Sequence, residues 1–164
     1  MPALASFRNT RPSSVTRPGR LRIVPRDFKV ITPMATLYAR DGVDVALIGI
    51  EVWSSGIIVR LGGLPNERTD ALDRTFRNDL EAWGRAEREG QPPKHPTEWL
   101  FDVGLALSND VGTSYELQSG VRGGAGRMLR AEWAFEPGPP DSASRLTLVL
   151  SGDKGHQGSV DIEI

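Results

Sequence analysis

Residues 99–151 decide the fold: WLFDVGLALSND (99–110), GTSYELQ (112–118), a glycine-rich stretch SGVRGGAGR (119–127), MLRAEWAFEP (128–137) and RLTLVLS (145–151). In the first, the bulky Phe101, Val103, Leu105 and Leu107 alternate with Asp102, Gly104, Ala106 and Ser108, the two-residue period of a half-buried strand. Asn109-Asp110-Val111-Gly112 carries turn chemistry, because Asn and Asp side chains bond nearby backbone and Gly tolerates positive φ. The expectation is a hairpin in which Gly112–Gln118 returns as the antiparallel partner of Trp99–Leu107. Leu129, Ala131, Trp133 and Phe135 repeat the alternation, as do Leu146, Leu148 and Leu150. Between them Pro137-Gly138-Pro139-Pro140 blocks regular pairing, since proline has no N–H to give a ladder.

Upstream the signals are of the same kind. Asp41-Gly42 between Met34–Arg40 and Val43–Trp53 is a strong hairpin signal. Along the second arm Val43, Val45 and Leu47 share one parity, while Ile48, Ile50 and Val52 share the other, with Gly49 at the changeover. A β-bulge there restores one inward face. Ile57–Leu61 is apolar enough for a central strand, and Arg20–Thr32 supplies a short edge strand bounded by prolines. Then the period changes. Leu72, Phe76, Leu80 and Trp83 form a stripe at helical spacing within Thr69–Glu89, and Gly90 with Pro92-Pro93 ends it. Such a stripe is too narrow to hold an isolated helix in water, so the helix is expected to lie on the sandwich, covering an open sheet face or end. The sum is a mainly β chain: an antiparallel β-sandwich of about seven to nine strands with one inserted α-helix at about residues 69–89.

Phe135-x-Pro137-x-Pro139-Pro140-x-x-Ala143-x-x-Leu146-x-Leu148, preceded by Asp110-x-Gly112-Thr113-x-Tyr115, resembles uncharacterised bacterial immunoglobulin-like β-sandwich modules, some of them joined to regulatory or envelope proteins. The resemblance covers roughly the last third of the chain and rests on turn and core positions. It implies an immunoglobulin-like sandwich and carries no activity.

At 164 residues the chain fits one domain, with a core that needs neither disulfide nor metal. Zero cysteines exclude a disulfide framework and thiolate metal sites. No stretch reaches the length of a membrane span, and MPALASFRNTRPSSVTRPGR lacks the apolar core of a signal peptide, so a cytoplasmic protein is expected. The net charge of −1 hides an asymmetry: residues 1–29 hold seven basic groups against Asp27, while the rest holds thirteen basic and twenty acidic groups. Residues 1–20, rich in Pro, Ser, Thr and Arg, read as a basic, disordered tail, and 21–164 as one sandwich domain. Nucleic-acid grooves add aromatic or amide readers to such charge, and Phe7 is the lone aromatic before Phe28, which argues against a nucleic-acid partner.

No motif for nucleophilic, zinc-protease or nucleotide chemistry occurs, and no cofactor is called for. His95 and His156 sit in turn-rich segments without ligand spacing, and the Asp and Asn residues near turns lack a calcium-loop pattern, so no metal site and no catalytic set is assigned. Two candidate ligand sites remain. In 119–127 the glycines Gly123 and Gly124 let backbone N–H groups converge on an anion, with Arg122 and Arg127 as flanks; the plain alternative is a mobile hairpin tip. Trp53 and Trp99, each placed at a strand end, either face a ligand or close the core. The functional expectation is a non-catalytic module that works by contact with another protein, as a regulatory or accessory unit. A carbohydrate or small-ligand binder using Trp53, Trp99 and the 119–127 loop stands as the alternative, and a hydrolase with dispersed carboxylates stands behind both.

Overall fold

A computed structural model describes residues 28–86, 89–152 and 157–164. The basic tail, the start of the expected 20–32 strand and His156 lie outside the described residues. Those described form nine strands and two helices: β1 (Phe28–Ile31), β2 (Ala35–Arg40), β3 (Val43–Trp53), β4 (Gly56–Gly63), α1 (Glu67–Arg85), α2 (Pro96–Leu100), β5 (Gly104–Asn109), β6 (Glu116–Ala125), β7 (Met128–Glu136), β8 (Arg145–Ser151) and β9 (Gln157–Glu163). The architecture is a mainly β, antiparallel sandwich. Its larger sheet runs β1-β3-β4-β7-β6, with β2 also on β3, and its smaller sheet runs β5-β8-β9.

Local chemistry explains the larger sheet. Asp41 and Gly42 both adopt positive φ, +50° and +79°, so the two-residue turn twists with the β2–β3 strands it joins. The β3–β4 register shifts between Leu47 and Gly49, leaving Ile48 as the extra residue. Val43, Val45 and Leu47 before the bulge, and Ile50 after it, are therefore all fully buried on one face. Ile57, Val59 and Leu61 of β4 and Leu129, Ala131, Trp133 and Phe135 of β7 continue that face, while Leu146, Leu148, Leu150 and Ile162 meet it from the smaller sheet. As proline chemistry requires, β7 stops at Glu136, and the Glu136–Pro137 bond is cis.

The expected hairpin of 99–107 with 112–118 does not form. Residues 96–100 make the short helix α2, and β5 starts only at Gly104 and pairs with β8 in the smaller sheet. Segment 116–125 pairs with β7 in the larger sheet, so the Asn109–Gly112 turn marks a change of sheet. Turn chemistry was read correctly there, but it does not choose the partner. Pro96 at the first helical turn and a His95/Glu98 capping box favour α2, and its Leu100 and Phe101 close the core, with Phe101 edge-on to Trp133 at 6.5 Å. Three side chains grip its C-terminal carbonyls: Tyr38 Oη donates to Leu100 O at 2.9 Å, Arg40 to Trp99 O and Asp102 O, and Arg122 to Glu98 O at 3.1 Å.

Helix α1 begins two residues before its expected start and ends at Arg85. Asn66 caps it reciprocally with Thr69, and Asn66 Nδ2 donates to Gly42 O at 2.9 Å, so the first turn is fastened to the β2–β3 turn. Only this end reaches the core: Thr69 is fully buried and Leu72 packs against the core cluster. Phe76 stands edge-on to the His95 ring, and Leu80 is 42% exposed. The helix closes one end of the sandwich with its first turns and lays no stripe along a sheet face.

Candidate functional site

The outer face of the larger sheet follows from the parity that the core leaves over. Opposite the buried Ile50, Val59 and Trp133 rows stand Glu51, Ile58, Arg60, Arg130, Glu132 and Ala134, half-buried or exposed. At its centre Arg60 Nη1 meets Glu51 Oε1 at 2.5 Å and its Nε meets Glu132 Oε2 at 2.7 Å, while Trp53 Nε1 donates to Glu51 Oε2 at 3.2 Å. The hydrogen bond from Arg60 holds the Glu51 carboxyl below its usual range, against the opposing effect of burial. The same bond holds Arg60 charged. This triad crosses three strands and binds them side chain to side chain, and it keeps Glu51 ionised and therefore acceptor-only.

Beside the triad a groove of about 370 Å³ is lined by Ile48, Val121, Ala125 and Met128, with Arg60, Arg130 and Glu132 at its polar margin. Ile48 comes from the β3 bulge. Gly123 and Gly124 also line it, and their missing side chains leave its β6 flank open. Val121 is 67% exposed and Met128 54%. The groove runs into the edge of the sheet, because β6 pairs with β7 on one side and with no described strand on the other. Ten residues of edge backbone are offered there, nearly all of them exposed. At its start Glu116 lies directly opposite Glu136, and the two line a second concavity of about 320 Å³ with Ser55, Ser114 and Gln118.

The residues singled out from sequence fall in different places. The expected 119–127 loop is strand β6 up to Ala125, and only Gly126 and Arg127 form the turn. Arg122 points to the inner side, donating to Glu98 O and lying 3.7 Å from Asp102. Arg127 makes a two-pronged ion pair with Asp70 of α1, so it anchors the helix. The two guanidinium groups therefore do not flank a common anion cradle with Gly123 and Gly124. Trp53 ends β3 on the outer face, its ring stacked on Phe28 at 4.6 Å between centroids. It borders a groove of about 650 Å³ with Val52, Pro139, Pro140 and Asp141. Trp99 is in α2, on the inner side, half-buried against the core. The two indoles do not share a groove. His95 caps α2: the Thr97 N–H donates to its Nδ1. Asp110 accepts from the Ser144 N–H and hydroxyl, which holds its carboxyl below the usual range and ties the β5 turn to the start of β8.

Sequence reasoning missed the triad and the Ile48–Val121–Met128 groove. The alternation of β7 already placed Arg130 and Glu132 outward, but Glu51, Arg60 and Glu132 meet only through the registers Glu51–Ile58 and Arg60–Glu132. Among the described residues, no group of three or more His, Cys, Asp or Glu is placed to hold a metal ion, and no helix is long and apolar enough to cross a membrane.

No protein-family model matches the chain. No curated protein matches it either. Among solved structures it is similar to one described as "the crystal structure of the conserved domain protein from Bacillus anthracis", with 12% identity and a TM-score of 0.40. The alignment covers 85% of this chain and 48% of that one, so the chain spans about half that protein's length.

Proposed function

We propose that the chain is a cytoplasmic, non-catalytic interaction module of the immunoglobulin-like sandwich type, acting as a regulatory or accessory unit through the β6 edge and the groove beside it. One observation carries the reading: a ten-residue edge strand with exposed backbone, next to an apolar groove whose Val121 and Met128 are more than half exposed. A bare edge of that length is a template for another strand, and an adjoining apolar strip gives side-chain selectivity to what the backbone alone would accept from any chain. The test is a photo-crosslinking residue at position 119, exposed and on the same face as Val121, in the native cell. A discrete adduct that disappears in Val121→Lys supports the module. A crosslinker that yields no discrete adduct under all mild conditions sinks it.

A second reading has its own observation. Trp53 and Phe28 stack beside the 650 Å³ groove, the arrangement that a carbohydrate or small-ligand binder would use. Intrinsic fluorescence titrated with neutral oligosaccharides checks it, and a response that survives Trp53→Ala counts against Trp53 as the platform.

A further inference from the structure

We propose that the partner of β6 is a second copy of this chain: two protomers pair antiparallel along Glu116–Ala125 and join their larger sheets across a two-fold axis. The proposal rests on the contact reading above and names its partner. It starts from what this edge lacks. Natural edges are blunted by lysine, proline or shortness, and β1 is four residues long and carries Lys29. β6 is ten residues long and holds neither proline nor lysine. Its one charge within the span 117–125, Arg122, is turned inward onto the Glu98 carbonyl and does not guard the edge. Its bulge lies at Leu117–Ser119, near one end, and leaves 119–125 regular.

Charge selects the copy. The first end of β6 is acidic, with Glu116 facing Glu136 across the β6–β7 register, a like-charge pair that costs stability where it stands. At the other end Arg127 is already paired with Asp70, and the basic charge left over is Arg130 on β7, which donates to Met128 Sδ and has no acidic partner among the described residues. Antiparallel pairing of two identical edges lays the acidic end of each beside the basic end of its mate, and a two-fold axis makes both contacts at once. A parallel strand, or an edge of one charge, relieves neither end. With Val121 on the axis, Ser119 faces Gly123 of the mate and the two valines meet. A Cβ at Gly123 would touch nothing within 4 Å, so no bulk obstructs the approach. The two 370 Å³ grooves then run together across the axis.

Sedimentation equilibrium of the full chain over a wide concentration range tests this. A monomer–dimer equilibrium is expected, and Val121→Lys should weaken it about 100-fold, because two ammonium groups face one another on the axis. Val121 is exposed, so at dilutions where both chains are monomeric the variant should keep the wild-type denaturation midpoint. Hydrogen exchange on the unaltered chain is the second measurement: amides of 117–125 should slow at high concentration and speed on dilution. A chain that stays monomeric at every concentration overturns the second copy, as does a dimer indifferent to Val121→Lys whose β6 amides show no concentration-dependent protection. If the chain is monomeric but the crosslink at 119 still captures a foreign protein, only the second copy falls. If neither is seen, the contact reading falls with it.

Discussion

β6 and β7 are paired residue for residue over most of their length, share one sheet and are joined by a two-residue turn, yet their fates differ. Along β7 Leu129, Ala131, Trp133 and Phe135 are at most 4% exposed, whereas β6 is exposed nearly throughout. Backbone pairing is therefore not what buries a strand here. The smaller sheet has three strands against the larger sheet's six, so its Leu146, Leu148 and Leu150, with Phe101 just after α2, close over the inner face of β3, β4 and β7, whereas β6 is met on that side by α2, through the Arg122 bond to Glu98 O. The sequence of β6 agrees with its position: glycines and one inward arginine stand where β7 has large apolar groups. A strand that the smaller sheet leaves uncovered can be read as failed core or as prepared surface. The exposed Val121 and the long, unguarded edge favour surface.

The sharpest way to break that contrast is truncation on both strands. Trp133→Ala should cost about 3–5 kcal/mol in chemical denaturation, the usual range for emptying a buried aromatic site. Val121→Ala should stay within about 0.5 kcal/mol. Similar costs at the two positions would mean that β6 is covered after all. Next comes the end of the sandwich that α1 closes. Asn66→Ala removes both the cap on Thr69 and the bond to Gly42 O, and should lower stability by about 1 kcal/mol.

Tyr38 sharpens the comparison from the inner side, where α2 covers what the smaller sheet does not. Burial raises its phenol to about 12. A group whose folded pKa is raised contributes stability that is whole below its unfolded pKa of about 10 and is lost as the pH climbs towards 12. Tyr38→Phe should cost about 1 kcal/mol at neutral pH for the lost bond to Leu100 O. Denaturation midpoints between pH 10 and 12 should fall less steeply in the variant than in the unaltered chain. Equal slopes would show that the phenol is not buried by α2. The smallest effect is expected on α1: Leu80→Ala should change stability by no more than about 0.5 kcal/mol, since that end of the stripe lies off the core. A larger loss would return the helix to a sheet face.

How much of this could be read in advance depends on the range of the interaction. The Asp41-Gly42 hairpin, the bulge at Leu47–Gly49, the inward rows of β7 and β8 and the proline stop at 137 were all legible, because each is decided by residues within a few positions of one another. The 99–103 stretch was not, because alternation in Phe101 and Val103 competes with a capping box at His95–Glu98 that starts a short helix. Nor was the 119–127 segment, where glycine content suggested a loop and pairing with β7 made a strand. Of the candidate site residues, Gly123 and Gly124 border the groove, whereas Arg122, Arg127 and Trp99 fasten helices.

By itself the sequence determined the class of architecture and the inner face of most strands, since side-chain period and turn chemistry are local and survive without knowledge of neighbours. Only the tertiary structure decided that β5 and β6 belong to different sheets, that α1 touches the core with its first turns alone, and that Glu51, Arg60 and Glu132 meet. Those outcomes rest on register and on how far one sheet extends over another. A shift of one residue in pairing moves every side chain to the opposite face, and the width of the covering layer separates a core strand from a free edge.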